Sequence, residues 1–183
     1  MTDGSDKKLL DQFRDPRSRN LAFSQLVNKY QERLYWHIRR IVIDHDDADD
    51  VLQNTFIKAF KNLDSFREDS QLYTWLYRIG TNESLTFLKK KKRNIFVPFD
   101  DVSHGLSSKL EADPELSGDA IQLKLQQALL TLPTKQRLVF NMKYFEEMKY
   151  EEISEVTGTS VGALKASYHH AVKKIEAHLK NQF

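Results

Sequence analysis

The sequence YEEISEVTGTSVGALKASYHHAVKKIEAHL, which spans Tyr150–Leu179, predicts two helices joined by a tight turn. Gly158 stands where the chain must turn, because glycine adopts a positive φ without strain. Thr159 and Ser160 follow it, and both residue types are favourable N-caps. The pattern therefore predicts a helical hairpin whose second helix begins after Ser160.

The second predicted helix has two faces of different chemistry. Apolar residues recur at helical spacing on one face, namely Val161, Leu164, Tyr168, Val172, Ile175 and Leu179. The opposite face carries small and then basic residues, namely Gly162, Ala163, Ala166, His169, His170 and Lys173. Small residues at the start of a helix allow it to enter a DNA major groove, while basic groups reach phosphates. The pattern favours a helix-turn-helix; the alternative is an ordinary hairpin with a solvated charged face.

The composition favours a cytoplasmic location without membrane insertion. The chain has 183 residues, of which 40% are hydrophobic, and it lacks the cysteine that disulfides and thiolate metal sites require. No apolar run approaches the roughly 18 residues of a membrane-spanning helix. The N-terminal sequence MTDGSDKKLL also lacks the apolar core of a signal peptide.

The charges fall into three blocks. Residues 1–93 carry 18 basic and 14 acidic groups, residues 94–118 carry one lysine and five acids, and residues 119–183 carry nine basic and seven acidic groups. Two basic blocks thus flank an acidic connector, although the net charge is only +2. This arrangement favours two modules that contact a polyanion, joined by a segment that does not bind it nonspecifically.

Helical periodicity predicts an all-α first domain over residues 5–93. Its first long amphipathic helix carries Phe23, Leu26, Tyr30, Leu34, Ile38 and Ile41. The acidic segment Asp44–Asp50 begins a second helix. A third helix starts near Leu72, continues past Gly80 with a local break before Asn82, and ends in the basic run Lys89–Arg93.

Residues 94–118 have the composition of a linker. Pro98, Gly105, Pro114 and Gly118 interrupt any period there. Helical spacing returns at Asp119 and predicts a second domain over residues 119–183 that ends in the hairpin. The predicted fold class is therefore all-α, with two small helical domains joined by a flexible acidic linker.

The acidic segment and the histidine pair do not predict a metal site. An EF-hand loop starting at Asp44 requires glycine and glutamate where the chain has Asp49 and Thr55. Adjacent His169 and His170 diverge on a helix and cannot easily share a metal. The sequence has no phosphate-binding glycine loop, nucleophile elbow or HExxH motif. We therefore expect no catalytic residue, metal or cofactor, and an enzyme is the least favoured class.

Aromatic residues beside basic groups leave two interpretations open. Phe66, Tyr73, Trp75 and Tyr77 lie close together in the sequence and could stack on unpaired bases. The alternative is packing in the core, which is favoured for Trp75 because it lies within an apolar stripe. Both interpretations stay open for Phe66, which precedes the third helix.

Two blocks of sequence together resemble a known family. The first is DVLQNTFIKAF, Asp50–Phe60, which continues through LDSFREDSQLYTWLYRIGTNESLTFLKKKKR. The second is ALLTLPTKQRLVFNMKYFEEMKYEEISEVTGTSVGALKASYHHAVKKI. They resemble, in this order, regions 2 and 4 of the extracytoplasmic-function (ECF) sigma factors of bacterial RNA polymerase. A stand-alone helix-turn-helix regulator is the alternative, and it would need a ligand-binding or dimerisation domain in residues 1–93.

The resemblance implies a role for each block. It implies binding of core polymerase, with its β and β′ subunits, by Asp50, Gln53, Asn54 and Phe56. It implies binding of the promoter −10 element by Phe66, Arg78, Thr81 and Asn82, where Gly80 replaces the usual alanine. It implies binding of the −35 element by Tyr150, Gly162, Ala163, Lys165, Ala166, His169, His170 and Lys173. An anti-sigma factor is a further expected partner. The remaining alternative for Asn82 is a role as N-cap of a following helix.

Overall fold

A computed structural model describes residues 4–94 and 120–180 of the chain. These residues form helices and turns without a strand, which confirms the all-α prediction. They divide into two compact units. The predicted linker lies outside the described residues except for Asn94, which ends a helix. None of the described helices is long and apolar enough to cross a membrane.

The first four helices are α1 (Gly4–Arg14), α2 (Arg19–Val42), α3 (His45–Asn62) and α4 (Leu72–Asn94). The first unit contains α1, α2, α3 and α4 as far as Leu88. A short 3₁₀ turn, Leu63–Ser65, follows α3. The next four helices are α5 (Ala120–Leu130), α6 (Thr134–Tyr144), α7 (Tyr150–Thr157) and α8 (Val161–Lys180). The second unit contains α5, α6, α8 and most of α7. The bounds of α7 and α8 confirm the predicted hairpin.

Helix α1 is absent from the sequence-based prediction. It packs on α2 through Leu10 and Phe13, which are buried, and an i, i+3 pair of apolar residues is too short a signal to define a helix. Its Asp6 is also buried, and its carboxylate accepts hydrogen bonds from Lys29 Nζ and Tyr30 Oη, each at 2.7 Å. A buried acid with two donors is a tertiary feature that periodicity does not predict.

The acidic segment before α3 caps that helix. The Asp44 carboxylate accepts a hydrogen bond from the backbone N–H of Asp47 at 3.1 Å. Asp46 and Asp47 lie in the first turn, where carboxylates interact favourably with the helix dipole. The interpretation as an acidic helix start is confirmed.

Helix α4 runs without interruption from Leu72 to Asn94, so the predicted break before Asn82 is wrong. Gly80 lies in the helix interior, and its α-carbon faces the side chains of Leu34 and Ile38 in α2. A single glycine lowers helix propensity by only about 1 kcal/mol, which packing against α2 offsets. Because Asn82 is not at a helix start, the interpretation as an N-cap is also wrong.

Gly80→Ala is expected to stabilise the protein by roughly 0.5–1 kcal/mol, because alanine has the higher helix propensity. A Cβ at this position would lie 3.5 Å from two carbons of Ile38, which is ordinary van der Waals contact. Gly158→Ala is the matched control, since the φ of 67° at Gly158 is strained for alanine. Denaturant unfolding should show a higher free energy of unfolding for Gly80→Ala and a lower one for Gly158→Ala. A lower value in both variants would contradict the packing described at Gly80.

The second unit has its own core, in which α8 packs against α5 and α6. Leu164 and Ile175 of the predicted apolar stripe are buried, and Ala171 joins them. The hairpin turn has Gly158 at φ 67°, as its position in the sequence predicts. Ser160 caps α8 by accepting a hydrogen bond from the backbone N–H of Ala163 at 3.4 Å. The buried side of α8 therefore fixes which residues face outward.

Candidate nucleic-acid interface

The outward face of α8 carries the residues that the sequence assigns to −35 binding. All seven of those that lie on α8 are exposed: Gly162, Ala163, Lys165, Ala166, His169, His170 and Lys173. Apart from its chain neighbours and the nearby backbone of α8, no heavy atom of the described residues lies within 4 Å of the position a Cβ would take at Gly162. The first turn of α8 therefore presents little more than backbone, so another surface can approach it closely.

Tyr150, at the start of α7, lies between two lysines. Lys165 Nζ is 5.8 Å from the centre of the Tyr150 ring and Lys143 Nζ is 5.2 Å from it, which are cation–π distances. Lys143 Nζ also donates a hydrogen bond to the Met148 carbonyl at 3.1 Å. Lys143 thus lies beside Tyr150, although the sequence-based −35 set does not include it. In the sequence it is an ordinary basic residue in the last turn of a helix.

The outward face of α4 forms a polar and basic stripe. Arg78 and Asn82 of the predicted −10 set are exposed one turn apart. Thr86, Lys89 and Lys90 are exposed further along the same helix and continue the stripe at a spacing of three or four residues. The sequence shows this stripe only when helical spacing is carried through Gly80. It can present hydrogen-bonding groups and then positive charge to a nucleic-acid strand.

The other two residues of the predicted −10 set are buried. Phe66 is 6% exposed, and its ring centre lies 5.3 Å from that of the half-buried Trp75. Phe66 therefore packs against Trp75, so its ring is not available on the surface for a base. Thr81 is 2% exposed, and its Oγ1 lies 2.8 Å from Nε2 of His37. Of the four, only Arg78 and Asn82 are exposed.

His37 is fully buried beneath α4. Its ring centre lies 4.5 Å from that of Tyr77, and its Nδ1 has no hydrogen-bond partner within the described part of the chain. Burial, with a smaller contribution from the charge of Arg40, lowers the pKa of His37 from 6.5 to about 3. The imidazole is therefore neutral at physiological pH.

The stability of the first unit should depend on pH through His37. The unfolded chain binds a proton near pH 6.5 whereas the folded chain does not, so stability is complete above pH 6.5 and falls as the pH drops towards 3. The loss is on the order of 5 kcal/mol at the acid limit. His37→Gln can keep a polar group near Thr81 but cannot titrate, so its stability should fall less between pH 6.5 and 4. Urea unfolding gives the free energy of unfolding of both proteins at each pH. If the two curves run parallel, His37 is not the source of the pH dependence.

The exposed face of α3 carries three of the four predicted polymerase-binding residues. Asp50, Gln53 and Asn54 are exposed and share one side of the helix. Ile57, one turn further, is 46% exposed. An apolar depression beside it is lined by Phe23, Gln53, Phe56, Ile57, Phe60 and Lys61.

Phe56 lies at the edge of this surface rather than on it. It is 9% exposed, and its ring packs edge-to-face against Phe23, with centres 6.3 Å apart. The sequence missed Ile57, because one apolar residue on a polar helix face is ordinary by pattern alone. Together these residues form a partly apolar and partly polar surface of the kind that binds another protein.

Known families match both units. The Sigma-70 region 2 family matches residues 26–94, and the family described as Sigma-70, region 4 matches residues 122–175. The ECF RNA polymerase sigma factor SigW of Bacillus subtilis is 33% identical over 168 residues, which are 87% of this chain and 90% of that protein. The RNA polymerase sigma-H factor of Pseudomonas aeruginosa is 32% identical over 98% of this chain and 96% of its own length.

Solved structures share the fold. The structure of CnrH in complex with the cytosolic domain of CnrY has a TM-score of 0.70 and 27% identity, and the match covers 98% of this chain and 99% of that chain. The sigma factor RpoE of Bartonella quintana, solved in complex with the anti-sigma factor NepR, has a TM-score of 0.71 at 24% identity, over 86% of this chain and 96% of that chain. At 24% identity, the similarity to RpoE shows a shared fold alone.

The two matched units, in this order, define the sigma-70 class of DNA-binding transcription initiation factors. Within that class, the extent and identity of the match to SigW decide the subgroup. The chain belongs to the ECF RNA polymerase sigma factors.

Proposed function

We propose that this sigma factor binds core RNA polymerase through α3, contacts the −10 element through α4 and contacts the −35 element through α8. The observation that supports it most directly is the exposure of Arg78 and Asn82 on α4 and of Lys165 and His169 on α8. Each helix buries its apolar side, so its polar side is held outward in a fixed orientation. We further propose that it acts in the cytoplasm, where bacterial RNA polymerase transcribes.

On α3, Asp50, Gln53 and Asn54 supply polar contacts to the polymerase core, in its β and β′ subunits. Ile57, beside them, supplies an apolar contact that the sequence-based set lacked. A partly apolar centre with a polar rim is typical of a stable protein–protein interface. Phe56 supports this surface from beneath, through its contact with Phe23.

On α4, Asn82 is the base-contacting residue. Its amide offers both a donor and an acceptor, which suits the edge of an unpaired base. Arg78, one turn before it, and Lys89 and Lys90, two turns after it, contact phosphates along the strand. Holding a base out of the stack costs a few kcal/mol, so several such contacts are needed to offset the cost.

On α8, Gly162, Ala163 and Ala166 allow close approach to the major groove, and His169, His170 and Lys173 follow the backbone. Lys165, Tyr150 and Lys143 form a cluster that binds a phosphate. Two ammonium groups around one phenol suit a single phosphate group, because each can donate hydrogen bonds to its oxygens.

Lys165→Ala is expected to weaken binding to the −35 duplex most strongly at low salt. A phosphate contact acts through counterion release, so loss of one should reduce the slope of log K against log salt concentration by about 0.9. Lys174→Ala is the matched control: it removes the same charge from an exposed position on the opposite side of α8. Fluorescence anisotropy at several salt concentrations measures both. Equal slopes in the two variants would exclude a phosphate contact by Lys165.

Regulation by an anti-sigma factor is part of the same proposal. Its support is family membership, together with the relative CnrH, whose structure was solved with the cytosolic domain of CnrY. A protein that covered the exposed face of α3 would compete directly with core polymerase. The chemistry of the α3 surface, with Ile57 beside three polar residues, suits such a partner as well as it suits the polymerase.

In vitro transcription tests the proposed function. The full chain is mixed with purified bacterial core polymerase and a promoter library with randomised −35 and −10 elements, and the transcribed templates are sequenced. Enrichment of two elements at a fixed spacing is the expected result. A stand-alone regulator would bind duplex DNA without co-purifying with core polymerase, and that outcome would overturn the proposal.

A further inference from the structure

We propose that His37 is a positioning residue for the −10 surface: it acts through Thr81 to fix the face of α4 that carries Arg78 and Asn82. This inference rests on the proposed function of α4. It assigns a role to a buried polar pair that neither binds a partner nor belongs to the apolar core. Thr81 directly precedes Asn82 in the sequence.

The contact joins two helices at the point where orientation matters. His37 belongs to α2 and Thr81 to α4, and Nε2 and Oγ1 are 2.8 Å apart. Both side chains are almost completely buried, at 0% and 2% exposure. If this hydrogen bond breaks, water cannot reach the site to replace the missing partner. A buried hydrogen bond of this kind therefore strongly favours one geometry.

The alternative restraints on α4 are less directional. The position of a Cβ at Gly80 faces only side-chain carbons of Ile38 and Leu34, and apolar packing of this kind tolerates small rotations of the helix. Glu83, on the other side of Asn82, accepts from Lys58 Nζ at 2.5 Å, but the lysine side chain is 56% exposed. Exposed ion pairs restrain structure weakly because water and salt compete with them. One turn before Thr81, Tyr77 Oη also donates a hydrogen bond to the Arg33 carbonyl of α2, but at the longer distance of 3.4 Å. The His37–Thr81 contact is shorter and directly precedes Asn82, so it restrains the helix more strongly at that residue.

Fixing α4 in this way matters because base contacts depend on sub-ångström placement. A functional side chain must be held within about 0.5 Å and 10–20° of its productive geometry. Asn82 is exposed and projects from the helix next to Thr81, so a small rotation of α4 moves its amide by a comparable distance. Loss of the Thr81 hydroxyl should consequently reduce discrimination between bases more than it reduces binding to core polymerase.

The test uses Thr81→Val and Thr81→Ser in the full chain, assembled with core polymerase. Valine matches the shape of threonine but lacks the hydroxyl, whereas serine keeps the hydroxyl and loses a methyl group. The readout is the ratio of opening rates, by permanganate reactivity, on the selected −10 element and on a version with one base changed. We expect valine to reduce this ratio about three- to tenfold and serine to keep it within about twofold.

Thr74→Val is the matched control. Thr74 is also 2% exposed on the buried side of α4, but its hydroxyl has no hydrogen-bond partner in the described part of the chain. This variant should leave the ratio unchanged. His37→Gln can place a polar group near Thr81, so it should keep more of the ratio of opening rates than His37→Phe. The affinity for core polymerase and the melting temperature are measured for every variant.

The outcomes separate this inference from the proposed function. If wild-type protein opens no template with core polymerase, the proposed function fails and the inference fails with it. If wild type opens the selected promoter and Thr81→Val keeps its full discrimination, the inference alone is wrong. It is also wrong if Thr81→Val and Thr81→Ser lower the ratio equally, because the hydroxyl would then have no role beyond stability.

Discussion

Replacing both Asp50 and Gln53 with alanine is expected to weaken binding to core RNA polymerase by about ten- to a hundredfold. Both side chains are exposed and lie one turn apart on α3, next to the exposed Ile57. Residues that contribute strongly to a protein interface each cost more than about 1 kcal/mol when truncated, and about 1.4 kcal/mol corresponds to a tenfold change in affinity. Titration of labelled protein with core polymerase measures the effect.

A second double variant controls for changes in charge and polarity. Gln31→Ala with Glu32→Ala removes one amide and one carboxylate from an exposed part of α2, as the first variant does on α3. This control should bind core polymerase like wild type. Both variants should keep their affinity for −35 duplex DNA, because that contact is assigned to α8. Equal losses of core binding in the two would mean that α3 has no special role.

Asn82→Ala is expected to slow promoter opening and to remove about 1–3 kcal/mol of sequence discrimination at one −10 position. Initial binding to the closed promoter should change little, because the −35 contacts remain. Protein stability should not decrease, since Asn82 is exposed inside a continuous helix and alanine is the better helix former. Opening is followed by permanganate reactivity of −10 thymines, and stability by thermal unfolding.

Asn28→Ala provides the comparison for this substitution. Asn28 is an exposed asparagine in the interior of α2, so its replacement makes the same chemical change away from α4. Asn82→Ser is informative as well, because serine lacks the amide and should not restore discrimination. Wild-type opening and base preference in Asn82→Ser would show that the base-contacting residue lies elsewhere on α4.

The sequence predicts the exposed residues of α8 more accurately than those of the −10 set on and before α4. On α8 the alternation of apolar and polar positions is regular, so every residue assigned to its outer face is in fact exposed. Around α4 the aromatic and polar residues are intermixed. Thr81 on α4 and Phe66 before it are buried, although the family resemblance assigns both to the −10 site. Periodicity predicts which side of a helix faces a core, but not how deeply residues at the boundary between its two faces are covered.

The sequence alone determined the all-α fold, the hairpin turn at Gly158 and the family, because these depend on local spacing and on motifs that are contiguous in the chain. The tertiary structure decided the rest. It placed Lys143 beside Tyr150, set Ile57 among polar neighbours and buried His37 against Thr81. Those relations join residues up to 44 positions apart, and they arise from how whole helices pack, which no short window of sequence contains.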